Sequence, residues 1–300
     1  MANETKEEPN IFQGMGNEVI AEFRGRPAVP QYLYHYTSAA GFMGIMGNDS
    51  IWYSDAAYMN DGSEIMHGFK ILRIVLDEYM REKSDEEKEI AQELLRRLEA
   101  QAFFYRQVIF CLCEQDNLLN QWRDYGRDIV PYSIQFDIRG LVAADGWNFR
   151  PVLLPLIYDH NNQINVTRSL IDRIYQRATE LKPEERDTEA KQNGLYNMAV
   201  AEIQWVLYQF KNEAFAAEKE WRMMGLTPFI KQAPKFRASN LGVVPYYEWK
   251  RTTEDRRLPI TKVTVGPSPY AQVSDLALKQ FLKVRNYEVP TEYSTIPIRR

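Results

Sequence analysis

Cysteine is almost absent from this chain: 300 residues hold two, Cys111 and Cys113. At that spacing both side chains share one face of a strand, where a disulfide between them would be strained. Two thiols and three scattered histidines (His35, His67, His160) do not make a structural zinc site unaided. The expectation is a pair of reduced thiols in a core strand of a cytoplasmic protein. Histidine is so scarce that no Ser–His pair can be selected from the many serines. Long apolar runs are missing too. Nothing approaches the roughly eighteen residues of a spanning helix, and the longest candidates, such as 152–158, are strand-sized. Residues 1–10 are acidic and polar, without the hydrophobic centre of a signal peptide. No membrane partner is therefore expected. An excess of positive charge is also lacking, since 37 Lys and Arg face 41 Asp and Glu for a net charge of −4. That balance argues against a generally basic nucleic-acid surface while leaving room for a local basic groove. There is no internal repeat and no low-complexity block.

What is present is apolar and aromatic. Hydrophobic residues make up 45% of the chain and aromatics 13%, which excludes disorder over most of it and supplies core and pocket walls. Strands are expected at 32–36, 51–54, 107–113, 132–137 and 152–158, the last four being short apolar or alternating runs. A helix over 39–46 can be capped by Thr37 or Ser38 and ended by Gly47-Asn48. From Ser63, the residues Ile65, Phe69, Leu72, Leu76 and Tyr79 keep a helical period. With the segment up to residue 102 they form a helical hairpin, and 162–182 with 188–211 form a second. Residues 218–224 read as a strand of unusual polarity. Strands at 237–239, 243–248 and 262–265 and a helix at 273–284 follow. The fold class is α+β, a mixed sheet with inserted helical hairpins. A polar leader (1–30) is expected to precede a single domain (31–300) with insertions near 64–105 and 160–211, because no Pro/Gly/Ser linker separates two cores.

Four polar and aromatic clusters stand out: Tyr34-His35-Tyr36-Thr37, residues 58–64 around Asn60-Asp61-Gly62, Gln121-Trp122-Arg123-Asp124-Tyr125, and Glu218-Lys219-Glu220-Trp221-Arg222. None is a P-loop, a dinucleotide fingerprint, a nucleophile elbow or a zinc-protease helix. Their order, followed by Arg237, Pro245-Tyr246, Val265-Gly266-Pro267 and the stretch from Ser294 to Arg299, resembles a bacterial family catalogued as a domain of unknown function. Some of its members are described as abortive-infection proteins related to AbiGi. That likeness covers about residues 32–299 and supplies no reaction. His35-Tyr36-Thr37 before a short helix is similar, more distantly, to the opening of diphtheria-toxin-like and DarT-like ADP-ribosyltransferases. The resemblance implies an ADP-ribosyltransferase-like sheet with NAD as substrate and no metal. It makes His35, with Tyr36 and Thr37, the binder of the adenosine ribose. Tyr132 and Ser133 become the middle-strand support of the nicotinamide, and Glu220, or else Glu218, the late acid. No pair of stacking tyrosines at fixed helical spacing follows the middle strand, and Trp221-Arg222 lies outside that family's Glu-x-Glu pattern.

The residues also carry a reading of their own. A neutral imidazole donates and accepts, which suits ribose hydroxyls; the plainer alternative for His35 is a structural histidine bonded to backbone. Glu218 and Glu220 would share one face of an extended strand, where one anion could stabilise an oxocarbenium-like sugar and the other take an acceptor's proton. The alternative is a salt-bridge network with Arg222. Gln121 and Tyr125 fall one helical turn apart. Arg123 could hold a pyrophosphate in bidentate fashion; alternatively Trp122 is core and Arg123 pairs with Glu64 or Glu220. Residues 60–64 read mainly as a loop and helix start, leaving Asn60 as a cofactor-binding candidate and Glu64 beside it. Arg237 and Tyr246 are weaker candidates.

Two functions follow. One is an NAD-consuming transferase or hydrolase acting in bacterial conflict with phage or in a toxin–antitoxin pair, its acceptor a protein, a nucleic acid, a small molecule or water. The other is a non-catalytic module of the same fold, an antitoxin or sensor binding a nucleotide or partner protein. A nuclease is a poorer reading, because Asp116, Asp124, Asp128 and Asp137 show no decisive metal-binding spacing.

Overall fold

The computed structural model describes residues 11–24, 28–58, 62–82, 84–101, 107–126, 128–143, 148–185, 187–227, 230–239, 241–252 and 255–297. The first half of the chain gives α1 (Met15–Arg24), β1 (Tyr32–Thr37), α2 (Ala39–Asn48), β2 (Ile51–Asp55), α3 (Gly62–Glu82), α4 (Asp85–Gln101), β3 (Gln107–Cys113), α5 (Leu119–Tyr125) and β4 (Tyr132–Asp137). The second half gives α6 (Ile138–Val142), β5 (Val152–Pro155), α7 (His160–Glu180), α8 (Glu189–Leu207), β6 (Glu220–Leu226), β7 (Lys235–Ser239), β8 (Gly242–Trp249), β9 (Ile260–Val265), α9 (Ala271–Val284) and β10 (Thr291–Tyr293). The class is α+β, as the sequence leads one to expect. Among the described residues no helix is long and apolar enough to cross a membrane.

The chain segments gather into two compact units. One unit combines residues 1–27, 61–106 and 157–213; the other combines 28–60, 107–156 and 214–300. The two expected insertions thus belong to a unit with a hydrophobic cluster of its own. The expected leader contributes to that cluster as well: Phe12, Met15, Val19 and Ile20 are buried in it. Contact with the helices dictates this, since α1 offers an apolar stripe that a solvated leader would leave wet. Ile71, Leu72, Val75, Leu76 and Tyr79 of α3, and Val166, Leu170, Ile171 and Ile174 of α7, bury one helical face each. Gly68 lies where a Cβ would stand 2.9 Å from the Leu207 carbonyl oxygen. The Glu202 carboxylate accepts the amides of Gly14 at 2.7 Å and Gly16 at 2.8 Å, fixing the entry to α1.

The second unit is built on a ten-stranded sheet. Its path runs β10-β9-β4-β1-β3-β2-β8-β7, with β6 pairing both β3 and β5. The β10–β9 pair is parallel and the others are antiparallel, so the sheet is mixed as expected. One feature of the pairing governs the rest. β6 follows β3 along its whole length, from Gln107 opposite Leu226 to Cys113 opposite Glu220. A strand has two edges, so β1 and β2 must share the other one. β1 touches it at Tyr34–Cys113, and β2 at Ser54–Ile109 and Asp55–Val108. Between these contacts, β3 has no strand partner on that edge at 110–112. The sheet is split there, and α2 links the two strands that flank the split. Ser38 caps α2 by accepting the Gly41 amide at 3.1 Å, and Asp49 ends it in the left-handed region at φ 48°.

Trp122 of α5 is fully buried beside this sheet, its indole N–H donating to Asn117 Oδ1 at 3.0 Å. Gly266, which follows β9, packs directly on it. A Cβ at residue 266 would meet Pro131 Cγ at 2.5 Å and the Trp122 ring at 2.8 Å. The side-chain volume is taken on both sides, so Gly266→Ala is expected to cost about 1–3 kcal/mol. The urea midpoint should fall at an unchanged denaturant slope; an unshifted midpoint would show that the ring and Pro131 move aside freely.

Candidate functional site

A cavity of about 250 Å³ opens at the split, lined by β1, α2, β2, β3, α5, the start of β6 and Arg237 of β7. Tyr34, His35, Tyr36 and Thr37 all line it. In a regular sheet, His35 and Thr37 would face away from Tyr34 and Tyr36. Here β1 leaves β3 after Tyr34, so its edge faces the cavity and residues of both faces reach it.

His35 stands at the split itself. Its Nδ1 lies 2.9 Å from the Cys111 carbonyl oxygen. A carbonyl only accepts, so Nδ1 carries the hydrogen and the neutral ring keeps Nε2 as an acceptor. The imidazole also packs on Phe110, with ring centroids 4.3 Å apart. Burial pushes the His35 pKa down to about 4, against the opposing pull of the Cys111 carbonyl. The structural bond therefore occupies one nitrogen of the ring and leaves the other as an acceptor. Tyr36 is committed to the fold: its hydroxyl donates to the Gln115 carbonyl at 2.8 Å and accepts the Leu118 amide at 2.9 Å. Its ring meets Trp122 edge-on at 4.7 Å. Burial holds this phenol well above its ordinary pKa. Thr37 is buried, and only a glycine fits opposite it, since a Cβ on Gly41 would stand 2.1 Å from Thr37 Oγ1.

Glu218 and Glu220 are both buried and both line the cavity. They do not share one extended strand face, as the sequence suggests. Glu218 closes a short 3-10 helix (Glu213–Glu218), Lys219 turns through the left-handed region at φ 45°, and β6 begins at Glu220. Bonds to the end of β3 hold this turn. The Cys113 thiol donates to the Glu218 carbonyl at 3.0 Å, and the Glu114 amide donates to the Lys219 carbonyl at 3.2 Å. Burial pushes the Cys113 thiol up to about 11, so it stays a neutral donor. Glu220 Oε1 accepts Arg222 Nε at 2.6 Å in a buried ion pair, which realises part of the salt-bridge alternative. Both cysteines are free; Cys113 is buried, and Cys111 is half-buried at the cavity wall.

The other expected residues divide. Gln121 and Tyr125 reach the cavity together, as their spacing implies. Arg123, between them, does not: its side chain is 71% exposed and its partner is Asp124 at 3.5 Å. Trp122 takes the core position instead, because a seven-residue helix has one inward face and the tryptophan occupies it. Tyr132 is likewise elsewhere, its hydroxyl 2.6 Å from Ser274 Oγ and its ring stacked on Phe42 at 4.6 Å. Ser133 is buried on β4 away from the lining. Pairing with both β1 and β9 keeps β4 inside the sheet, with β1 between it and the split. Asn60 lies outside the described residues. The sequence reading missed Trp52 and Ser54, although the alternation of Ile51-Trp52-Tyr53-Ser54 already placed them on one face. Gly44 gives Trp52 its place, since a Cβ there would lie 2.8 Å from the indole. Arg237 lines the cavity and donates from Nη2 to Ser54 Oγ at 2.9 Å. Among the described residues no group of three or more His, Cys, Asp or Glu is arranged to hold a metal ion.

With a neutral imidazole, buried carboxylates, a guanidinium, an amide, a phenol and an indole, the cavity suits a hydroxyl-bearing ligand with an aromatic part. Residues 121–223 match the family described as Protein of unknown function (DUF2971). Among curated proteins and solved structures, none matches the chain. The DUF2971 stretch carries Gln121, Tyr125, Glu218 and Glu220 of the lining, whereas His35 and Arg237 lie outside it.

The depressed imidazole pKa has a consequence for stability. Between the ordinary value of 6.5 and about 4, an unfolded chain binds a proton at His35 that the folded chain refuses. Stability falls as pH drops through that window, and this group contributes no slope above it. His35→Asn keeps an amide donor for the Cys111 carbonyl but cannot titrate. Urea midpoints taken at about pH 7 and about pH 5 should fall more in the wild type than in H35N. Equal losses would mean that the ring is not held neutral.

Proposed function

We propose that the cavity binds the nicotinamide–ribose part of NAD and breaks its glycosidic bond, in transfer to an acceptor or in hydrolysis. One observation carries this reading: the His35 imidazole and the Glu218 and Glu220 carboxylates line a single cavity although His35 and Glu218 stand 183 positions apart in the chain. That convergence fits the likeness to DarT-like and diphtheria-toxin-like ADP-ribosyltransferases. The proposed role in phage defence or toxin–antitoxin conflict rests on the other likeness, that of the ordered clusters over about residues 32–299 to the family with abortive-infection members.

The chemistry needs few groups. The C–N bond breaks with its electron pair passing to the pyridinium nitrogen, so nicotinamide leaves neutral and needs no general acid. Positive charge develops on the ribose, and Glu220, oriented by Arg222, provides the facing anion. The acceptor's oxygen then bonds to the anomeric carbon while its proton passes to Glu218. His35 Nε2 accepts from a ribose hydroxyl and holds the sugar against the carboxylates.

A second reading has its own support. Glu220 is already engaged by Arg222, and a cavity of about 250 Å³ is small for a whole dinucleotide. These features favour a non-catalytic nucleotide-binding module.

Incubation with labelled NAD, followed by mass spectrometry for nicotinamide and ADP-ribose products, separates the readings. Turnover is expected in the wild type, with Glu220→Gln and Glu218→Gln each reducing it about 10²-fold or more. His35→Asn should weaken NAD binding by about three- to tenfold. Binding without turnover, unchanged by E220Q, would establish the module instead. Neither binding nor turnover at high protein concentration would refute the glycosidic reading.

A further inference from the structure

Arg237 is a charged residue of the cavity lining. It lies on β7, a strand exposed along its whole length, and its side chain crosses β8 to reach the Ser54 hydroxyl on β2 at 2.9 Å. Among the described residues no carboxylate pairs with it, whereas Arg222, the other arginine next to the cavity, is matched by Glu220. Partial burial of the guanidinium lowers the Arg237 pKa, with Tyr246 pulling the other way, while the residue as a whole stays exposed. It presents a planar fork of donors, the geometry that suits phosphate oxygens.

Its position in the lining matters as much as its charge. The guanidinium meets β2, and Glu220 opens β6, with β3 between them. Two strand spacings, about 10 Å in all, separate the strands that carry the two ends, and along β3 the ends are offset from Ile109, opposite Ser54, to Cys113, opposite Glu220. The cavity is therefore acidic at one end and basic at the other. We propose that Arg237 is its phosphate-recognising residue, and that the ligand taken is a 5′-phosphorylated nucleoside with its sugar towards Glu218 and Glu220. The orientation of the sugar rests on the reading of the site given above; the phosphate preference does not. A cavity of about 250 Å³ is closer in size to a mononucleotide than to a whole dinucleotide. Whatever is attached beyond the phosphate, such as the second nucleotide of NAD, then passes out over the exposed β7. The position that sequence reasoning gave to Arg123 as a pyrophosphate holder belongs on this account to Arg237.

Calorimetry with two ligand pairs tests this: nicotinamide mononucleotide against nicotinamide riboside, and adenosine monophosphate against adenosine. In at least one pair the phosphorylated member should bind the wild type about tenfold tighter or more. Arg237→Gln should remove that preference and leave the affinity for the unphosphorylated member unchanged. Arg237→Lys, which keeps the charge and loses the fork, should reduce it by about threefold and carries the test if R237Q does not fold. Arg123→Gln should leave it intact. A preference that survives both Arg237 variants, one lost in R123Q, or no binding by any of the four compounds overturns the inference. Loss of the preference in R237Q without NAD turnover in the wild type would sink the glycosidic reading and uphold the phosphate subsite. Turnover together with an intact preference in R237Q would do the reverse.

Discussion

The candidate site depends on one shared edge. β3 gives one side entirely to β6 and divides the other between β1 and β2, which leaves three residues without a strand partner. An unpaired carbonyl inside a sheet costs free energy comparable to a lost hydrogen bond. The His35 N–H supplies the missing bond to Cys111. A histidine is well suited to this place, because a ring held neutral donates on one nitrogen and accepts on the other. An asparagine could supply the donor, but not a rigid acceptor on the far side of the same ring. The defect that opens the cavity and the group that equips it are thus one arrangement, and burial, by keeping the imidazole uncharged, maintains both.

The acidic end is held by a different device. Placing two carboxylates in a low-dielectric wall is unfavourable, and a buried ion pair seldom recovers in attraction what it loses in hydration. The Glu220–Arg222 pair is therefore a weak candidate for a purely stabilising element. The left-handed turn at Lys219 points the same way, since a non-glycine residue in that region is strained unless its surroundings enforce it. Here the enforcement is visible in the Cys113 thiol on the Glu218 carbonyl and the Glu114 amide on the Lys219 carbonyl. The fold sustains an unfavourable local geometry, and the result is that both carboxylates border the same cavity.

Much of this was legible in the sequence, within limits set by range. β3 and β4 read correctly to the residue, because a short apolar or alternating run is a local signal. The helix after β1 was legible from Ser38 and its apolar face. Gln121 and Tyr125 could be paired from helical spacing alone. The division into two units was not legible, because three separated segments, including the supposed leader, join in one helical cluster that no local pattern encodes. The break at Lys219 was hidden as well. Glu-Lys-Glu reads as a continuation of the strand, and only the bonds to β3 impose the turn. Arg123 attracted attention through aromatic and polar neighbours in sequence, which say nothing about which helical face is inward once Trp122 claims the core.

Arg237 shows the converse. β7 is a short, fully exposed edge strand whose residues carry no burial pattern, so its sequence offers Arg237 only as a weaker candidate. Its significance comes from strand order. By pairing with β8, which pairs with β2, β7 brings a guanidinium across to Ser54 at the split edge. The DUF2971 match, covering residues 121–223, contains the acidic side of the cavity and neither His35 nor Arg237. Whatever that match implies for this chain bears on the carboxylates. The imidazole and the guanidinium must be argued from pairing and hydrogen bonds: one from the carbonyl it satisfies, the other from the hydroxyl it reaches.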